Sequence, residues 1–295
     1  MSGSKSAPLL GALLGLTGVL IFSGTLPATR FAVATFDPVF ITFTRALLAT
    51  IAAIICLKAL KRPFPKTHWK ELVFVGATMI YGFPGLMALA MLTVPSAHGG
   101  VIMGILPLGT AVFAVLLTGE RPSALFWLVG LAGAAVITLF AFRDGEGFGL
   151  VAGDIWLLLA AIIASSGYVV SGRLTAFMPG WEVICWALIL WGPVALVGTI
   201  LSFDGAYLAA ESAQIGAMLY LGLGSMFLGF FFFNAGMKLG GIARVGQLQL
   251  MQTFFTLAIA GLILGERVTL ETWSFAAVVI ALVVAGQRAR ISAGP

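Results

Sequence analysis

Leu116-Leu117-Thr118-Gly119-Glu120-Arg121 closes one apolar run, and Leu262-Ile263-Leu264-Gly265-Glu266-Arg267 closes another. The two stretches stand 146 residues apart, about half of the 295-residue chain, and the alignment extends backwards without a gap. Ala97-His98 falls on Ala243-Arg244, Met91 on Met237, and Pro107 on Thr253. Forwards, each Gly-Glu-Arg leads into one more apolar run, Ser123–Phe142 and Thr272–Gly286. A period this long exceeds that of solenoid repeats and implies duplication of a whole half-protein.

Composition sets the solvent. Sixty per cent of the residues are hydrophobic and only 9% charged, where a water-soluble domain carries about 25% charged residues. Mean hydropathy is +1.10. A soluble fold has too little interior for so much apolar surface, so the solvent is lipid. The net charge of +5 is not a nucleic-acid footprint, because the cations cluster between apolar runs rather than on a folded face. Cys56 and Cys185 both sit inside apolar runs, so no structural disulfide is expected. The first apolar run lacks a small-residue cleavage site and is expected to be a retained helix.

Ten runs have spanning length: 8–28, 38–60, 70–92, 95–118, 123–142, 151–172, 181–202, 213–236, 241–264 and 271–288. About 20 helical residues cross a ~30 Å hydrocarbon core. Helices are required because a lipid-facing backbone must satisfy its own polar groups. The period-2 alternation of a barrel is absent. If all ten cross and the N-terminus is cytoplasmic, Lys5, Lys58, Lys61, Arg62, Lys66, Lys70, Arg121, Arg173, Lys238, Arg244, Arg288 and Arg290 lie inside. Only Arg30, Arg143 and Arg267 lie outside, with Arg45 inside a span near its outer end. That bias follows the positive-inside rule and puts both termini in the cytoplasm. Trp69, Trp127, Trp156, Trp181 and Trp273 fall near span ends, where aromatic belts form.

The expected fold is therefore all-α and integral to the membrane: ten transmembrane helices as two five-helix repeats, 1–148 and 149–295. Five is odd, so the second copy enters the bilayer from the opposite side. Inverted halves around a central cavity are a recurrent plan of secondary transporters.

The chain resembles the drug/metabolite transporter superfamily in its ten-helix EamA-like branch. The resemblance rests on Gly119-Glu120 and Gly265-Glu266, on Gly153-Asp154, and on Ser165-Ser166-Gly167-Tyr168. It covers nearly the whole chain, and by length and pattern it extends to the branch's YddG-type exporters of aromatic amino acids. It implies alternating-access export of small metabolites, amino acids above all, across the inner membrane. The chain departs from the branch where Thr253 stands opposite Pro107, which breaks the pseudo-symmetry of the central pathway.

Candidate substrate contacts come from polarity in an apolar place. Asn234, Gln247, Gln249 and Gln252 fall in the eighth and ninth spans, where an unpaired amide is costly. Gln249, Gln252, Thr253 and Thr256 share one helical face, which lines either a cavity or a helix–helix contact. Gln249 corresponds to Met103 and Gln252 to Leu106, so one half is amide-rich and the other apolar, which favours an amphipathic chamber. Tyr81 and Tyr168, near mid-span, are expected as stacking surfaces within the central cavity that the resemblance implies. The substrate-binding set is then Tyr81, Met103, Tyr168, Asn234, Gln249 and Gln252. Gly104, Pro107 and Thr253 form the kink: Pro107 cannot donate to the Met103 carbonyl, and Thr253 can return its hydroxyl to the carbonyl of Gln249.

His98 and Asp154 are expected to be structural, the latter starting a helix where a carboxylate complements the dipole. Glu120 and Glu266 are expected to cap or latch corresponding helices. Arg45 is a candidate anion ligand, with outward snorkelling or a meeting with Asp37 near the same interface as the competing expectations. Gly11 and Gly15 form a close-packing GxxxG face. No HExxH, Walker A, G-x-S-x-G or metal-spaced Cys/His pattern occurs, so neither cofactor, metal nor catalytic chemistry is expected. The expected partners are a small-molecule substrate and the bilayer, with no nucleic acid, and a monomer is preferred to an obligate oligomer. A carrier of phosphorylated or nucleotide-linked metabolites would need cations deep in the pathway. An intramembrane enzyme or non-transporting scaffold is the alternative from another class.

Overall fold

The computed structural model describes residues 6–118, 121–122, 124–144, 151–240, 248, 250–288 and 291–292. The first apolar run forms α1 (Ser6–Ser23) and α2 (Thr25–Ala32), which meet at a break on Gly24. After them come α3 (Pro38–Ala59), α4 (Trp69–Val75) and α5 (Phe83–Ala90), the last two joined by a π-helical stretch at Gly76–Gly82. The fourth run is α6 (Ser96–Met103) and α7 (Leu106–Thr118), followed by α8 (Ala124–Asp144). The second half contains α9 (Ala152–Leu174), α10 (Gly180–Leu201), α11 (Ser212–Leu219) and α12 (Gly229–Gly240), with a second π stretch at Tyr220–Leu228 between the last two. It closes with α13 (Met251–Leu264) and α14 (Leu270–Arg288). Two two-residue strands, β1 (Arg121–Pro122) and β2 (Ile291–Ser292), pair antiparallel and are the whole sheet content of the described residues.

Among the described residues, seven helical segments are long and apolar enough to cross a membrane: Leu9–Ala32, Pro38–Ala59, Trp69–Ala90, Ser96–Leu116, Ala152–Leu174, Gly180–Leu201 and Ser212–Gly236. Leu131, Leu201 and Leu262 are 72%, 80% and 87% exposed. Water would penalise side chains turned outward in this way, whereas lipid accepts them.

Local chemistry sets the boundaries. Asp37 starts α3 by accepting from the Val39 amide at 2.7 Å, and Pro38 occupies the first turn, where no amide is needed. Asp154 starts α9 by accepting from the Val151 amide at 3.0 Å. Gly265, at φ +67°, ends α13 in the left-handed region that only glycine enters freely, and the Glu266 amide returns to the Ala260 carbonyl. Gly24 breaks the first run because the Tyr220 hydroxyl occupies the place a side chain would take there and donates to the Ile21 carbonyl.

The duplication recurs in the irregularities. Shifting the first π stretch by 146 residues gives 222–228, inside the second. Such insertions of one residue per turn are uncommon and concentrate at functional sites, and the two overlap at the 146-residue offset. Packing follows the same exchange of halves. Helix α1 lies on α12 as α9 lies on α5, while α3 pairs with α10, α6 with α13, and α8 with α14. The Gly11/Gly15 face packs inside the chain, against Gly236 of α12.

Helix ends gather into two sets. One set joins Arg30 to the Met91 carbonyl, Ser96 and Ala97 to Glu266, His98 to Asp154, and Arg143 to Glu271. The other joins Arg62 to Glu182, stacks His68 on Phe177, and pairs β1 with β2. The segments α4–α5, α6–α7, α9 and α14 each contribute one end to either set.

Candidate functional site

The interior is organised as two main clusters. The first contains Met103, Leu157, Phe140 and Leu257, and the second contains Met79, Ala164, Leu188 and Trp186. Phe83 and Leu106 pack against both and mark the seam between them.

Tyr81 and Tyr168 come together on the second cluster. The Tyr81 hydroxyl donates to the Trp191 carbonyl at 3.0 Å, and its ring packs on Trp191 at 5.1 Å and Phe43 at 5.3 Å. Trp191 in turn donates to the Val73 carbonyl at 3.0 Å. Met103 belongs to the other cluster and is 8% exposed. Asn234 is half-buried, donates to the Phe230 carbonyl at 2.7 Å, and fills the space beside Gly180 at the start of α10. That position is midway along α12. Gln252 is half-buried on α13, and Gln249 lies outside the described residues.

The kink residues meet more closely. Helix α6 ends at Met103, and the Gly104 and Ile105 amides fold back to Val101 and Ile102 at 3.0 and 3.2 Å. These i→i−3 bonds make a tight turn ahead of α7, as expected where a proline follows. The Pro107 side chain and the Gln249 carbonyl lie outside the described residues. A Cβ on Gly104 would touch Thr253 Oγ1 at 3.4 Å and Val279 at 3.0 Å, so α6, α13 and α14 converge on the turn. The rest of the polar stripe divides in use. Thr256 donates to the Ser23 carbonyl at 2.9 Å beside the α1–α2 break. That residue is interhelical glue.

A cavity of about 590 Å³ lies between α3 and α10, lined by Val39, Phe43, Pro193, Val194, Val197, Gly198, Leu201 and Ser202. Among the described residues, none of those expected to bind substrate borders it.

Three sites hold ionisable side chains against other elements. The first is Glu266. Its Oε1 accepts from the Ser96 amide and hydroxyl, both at 2.9 Å, and its Oε2 accepts from the Ala97 amide at 2.8 Å. The left-handed Gly265 turns the chain so that this carboxylate caps α6 of the other half, a charge-assisted latch on a positive helix end. Glu120 lies outside the described residues.

The second is the pair His98 and Asp154. Their side chains meet at 2.6 Å, and the two residues are 3% and 0% exposed. The imidazole stacks on Phe140 at 4.8 Å, and the second carboxylate oxygen of Asp154 accepts from Val151. Read singly, each is a helix-end residue; the structure joins them. The available signal was that both occupy the first turn of a span on the same side.

The third is Arg45, 3% exposed, which neither snorkels nor meets Asp37. Ile41, Ala49 and Ala53, each four residues apart along its face of α3, are at most 1% exposed. That small-residue face looks into the protein and carries Arg45 with it.

Residues 9–142 and 151–285 each match the model of the EamA-like transporter family. An uncharacterized transporter of Bacillus subtilis (strain 168), YdeK, is 41% identical over 281 residues, covering 95% of this chain and 96% of its own. The aromatic amino acid exporter YddG of Ancylobacter novellus is 29% identical over 247 residues, covering 80% and 82%. A crystal structure at 21% identity superposes with a TM-score of 0.63 over 97% of both chains, and so shares the fold.

Proposed function

This chain belongs to the EamA-like transporter family of the drug/metabolite transporter superfamily, and from that premise we propose that it exports small amphipathic metabolites, neutral or aromatic amino acids above all. The carrying observation is the double family match, whose two copies set their π stretches in register. Ten crossings follow, with residues 1–148 and 149–295 as inverted repeats and both termini in the cytoplasm. The two sets of helix ends support that alternation, and the exchange-symmetric packing supports the inversion. Amino acids as cargo are supported by the YddG relative, which the chain matches over most of its length.

The pathway runs along the seam that Phe83 and Leu106 share, with Tyr81, Met103, Tyr168, Asn234, Gln249 and Gln252 lining it in turn as the halves rock. The turn at Gly104, Pro107 and Thr253 is the pivot, since a broken helix bends at less cost than a continuous one. The Glu266 latch and the His98–Asp154 contact hold the outer ends together, and Arg62–Glu182 ties the inner ends. Phosphorylated cargo is disfavoured, because Arg45 is the sole deeply buried Lys or Arg among the described residues. The substrate's own gradient drives flux. No carboxylate lies mid-span, and Asp154 is tied to His98 and to the start of its helix.

Purified protein in liposomes moves labelled phenylalanine down its gradient, with little response to an imposed pH gradient. Strict dependence on that gradient, lost in His98→Ala, overturns the driving-force assignment. Absence of amino-acid flux overturns the cargo. Tyr81→Ala lowers flux more than it lowers thermal stability; equal losses make Tyr81 a packing residue. Single cysteines at 120 and 266 react with an impermeant thiol reagent from opposite sides of the membrane. Labelling of both from one side removes the inverted repeat.

A further inference from the structure

We propose that Arg45 is the carboxylate-binding residue of this carrier, which makes the cargo a monocarboxylate and the guanidinium its recognition point. This rests on the amino-acid export proposed above and goes beyond it by naming the group that is recognised.

Arg45 is the eighth residue of α3, about 10 Å along the helix from its start at 1.5 Å per residue. Its Nη2 reaches the Ser225 hydroxyl only at 3.5 Å, while Nε and Nη1 have no hydrogen-bond partner. None of the ion pairs among the described residues involves it. Asp37, the nearest acid in sequence, is committed to the start of α3. A guanidinium deprived of both water and counter-charge is costly at membrane depth. Such a group is expected to face a pathway or a ligand.

The surroundings are built for a polar guest. Ser225, in the second π stretch, shares a 2.7 Å hydrogen bond with Thr25, the first residue of α2. Tyr220 of the same π stretch donates to the Ile21 carbonyl at the end of α1. Arg45 therefore stands where a helix break and a π stretch face each other. Irregular backbone at that depth is tolerated where it is buried in protein or lines a cavity. Parting α2 from the π stretch, about the Gly24 break, uncovers the guanidinium to the space between the halves.

The chemistry selects the ligand. One guanidinium neutralises one carboxylate and matches its two oxygens with parallel N–H donors. A phosphate dianion would retain an uncompensated charge, for no second Lys or Arg is buried among the described residues. Amines without a carboxylate gain nothing from the site.

The test is competition against labelled phenylalanine in proteoliposomes, with phenylalanine, phenylalaninamide and 3-phenylpropionate as competitors. For the wild-type protein, the amide competes at least tenfold more weakly than phenylalanine, and phenylpropionate competes measurably. Arg45→Gln lowers phenylalanine flux at least tenfold, and Arg45→Lys restores part of it. Equal competition by acid and amide overturns the proposal, and that comparison needs no variant to fold. Wild-type flux in Arg45→Gln overturns it equally. If the wild type moves no amino acid, the export reading fails by itself. The site is then tested by thermal stabilisation of solubilised protein: a rise with phenylpropionate, absent with phenethylamine and lost in Arg45→Gln, supports a carboxylate site. No rise with any carboxylate rejects it.

Discussion

Two corners of the molecule bury charge to nearly the same extent and do opposite things with it. At the start of α6 and α9, His98 meets Asp154 at 2.6 Å, and the remaining carboxylate oxygen is taken by a backbone amide. On α3, Arg45 holds one long contact to a hydroxyl and has two nitrogens without partners. Burial alone therefore does not say what a charge is for; the completeness of its partners does. A satisfied pair is part of the scaffold, because each partner offsets the other's desolvation. An unsatisfied charge is a standing cost that a ligand can remove.

The largest effect should come from breaking the satisfied corner. Asp154→Leu leaves the imidazole without its partner and the Val151 amide without its cap. Losing one member of a buried pair costs about 3–5 kcal/mol. The thermal midpoint of the solubilised protein should fall by many degrees. A small fall would place the pair in a solvated cleft and dissolve the contrast with Arg45.

The converse substitution sharpens it. Arg45→Met removes a charge that has no counter-ion and leaves a chain of similar reach. Stability should hold or rise by about 1 kcal/mol, since apolar replacements of buried ions are often neutral or stabilising. Phenylalanine flux in the same variant should collapse. A protein that gains stability while losing transport has a functional arginine. One that loses both has a structural arginine with contacts still to be found.

The Glu266 latch is intermediate. Glu266→Gln keeps the shape and weakens the charge-assisted capping of α6, for a cost of about 1 kcal/mol. Because the contact joins the two halves, its loss should show in conformation more than in unfolding. A cysteine at 96 should react faster with an external impermeant thiol reagent in the Gln variant than in its parent. An unchanged rate makes the latch a mere helix cap.

The sequence carried the architecture well because lipid imposes length and polarity on every span. The expected runs 38–60, 70–92 and 181–202 match α3, α4–α5 and α10 to within two residues at either end. Gly265-Glu266 was legible as a latch because glycine and a carboxylate each have a specific use at a helix end. The breaks were harder. Gly24 divides the first span through a tyrosine hydroxyl 196 residues further on, and no local periodicity contains that fact. The π stretches escaped for a related reason, since one extra residue per turn leaves an apolar run apolar. For Arg45 its own helix offered an anion, Asp37 or the interface, and nothing local chose among them. Its partner Ser225 is 180 residues away. Amides and aromatics were easier to nominate than to assemble: Asn234 borders Gly180 at the start of α10, whereas Met103 belongs to the first cluster.

The smallest predicted effect supplies the baseline for the other three. Arg143 and Glu271 join the ends of α8 and α14 at 3.1 Å, yet their side chains are 54% and 52% exposed. Water and salt screen such a pair, and holding two long side chains in one geometry costs entropy, so its coupling is below about 1 kcal/mol. A double-mutant cycle with Arg143→Ala and Glu271→Ala, read by thermal unfolding, should return a value near zero at 0.15 M salt. Lowering the salt should raise it slightly, as the Debye length grows. The distance is only half an ångström longer than that of His98–Asp154, so geometry hardly separates the two pairs; exposure does. If the exposed pair proves as strong as the buried one, partner burial is not the variable that ranks these sites. The inference drawn from Arg45's missing partners would then lose its footing as well.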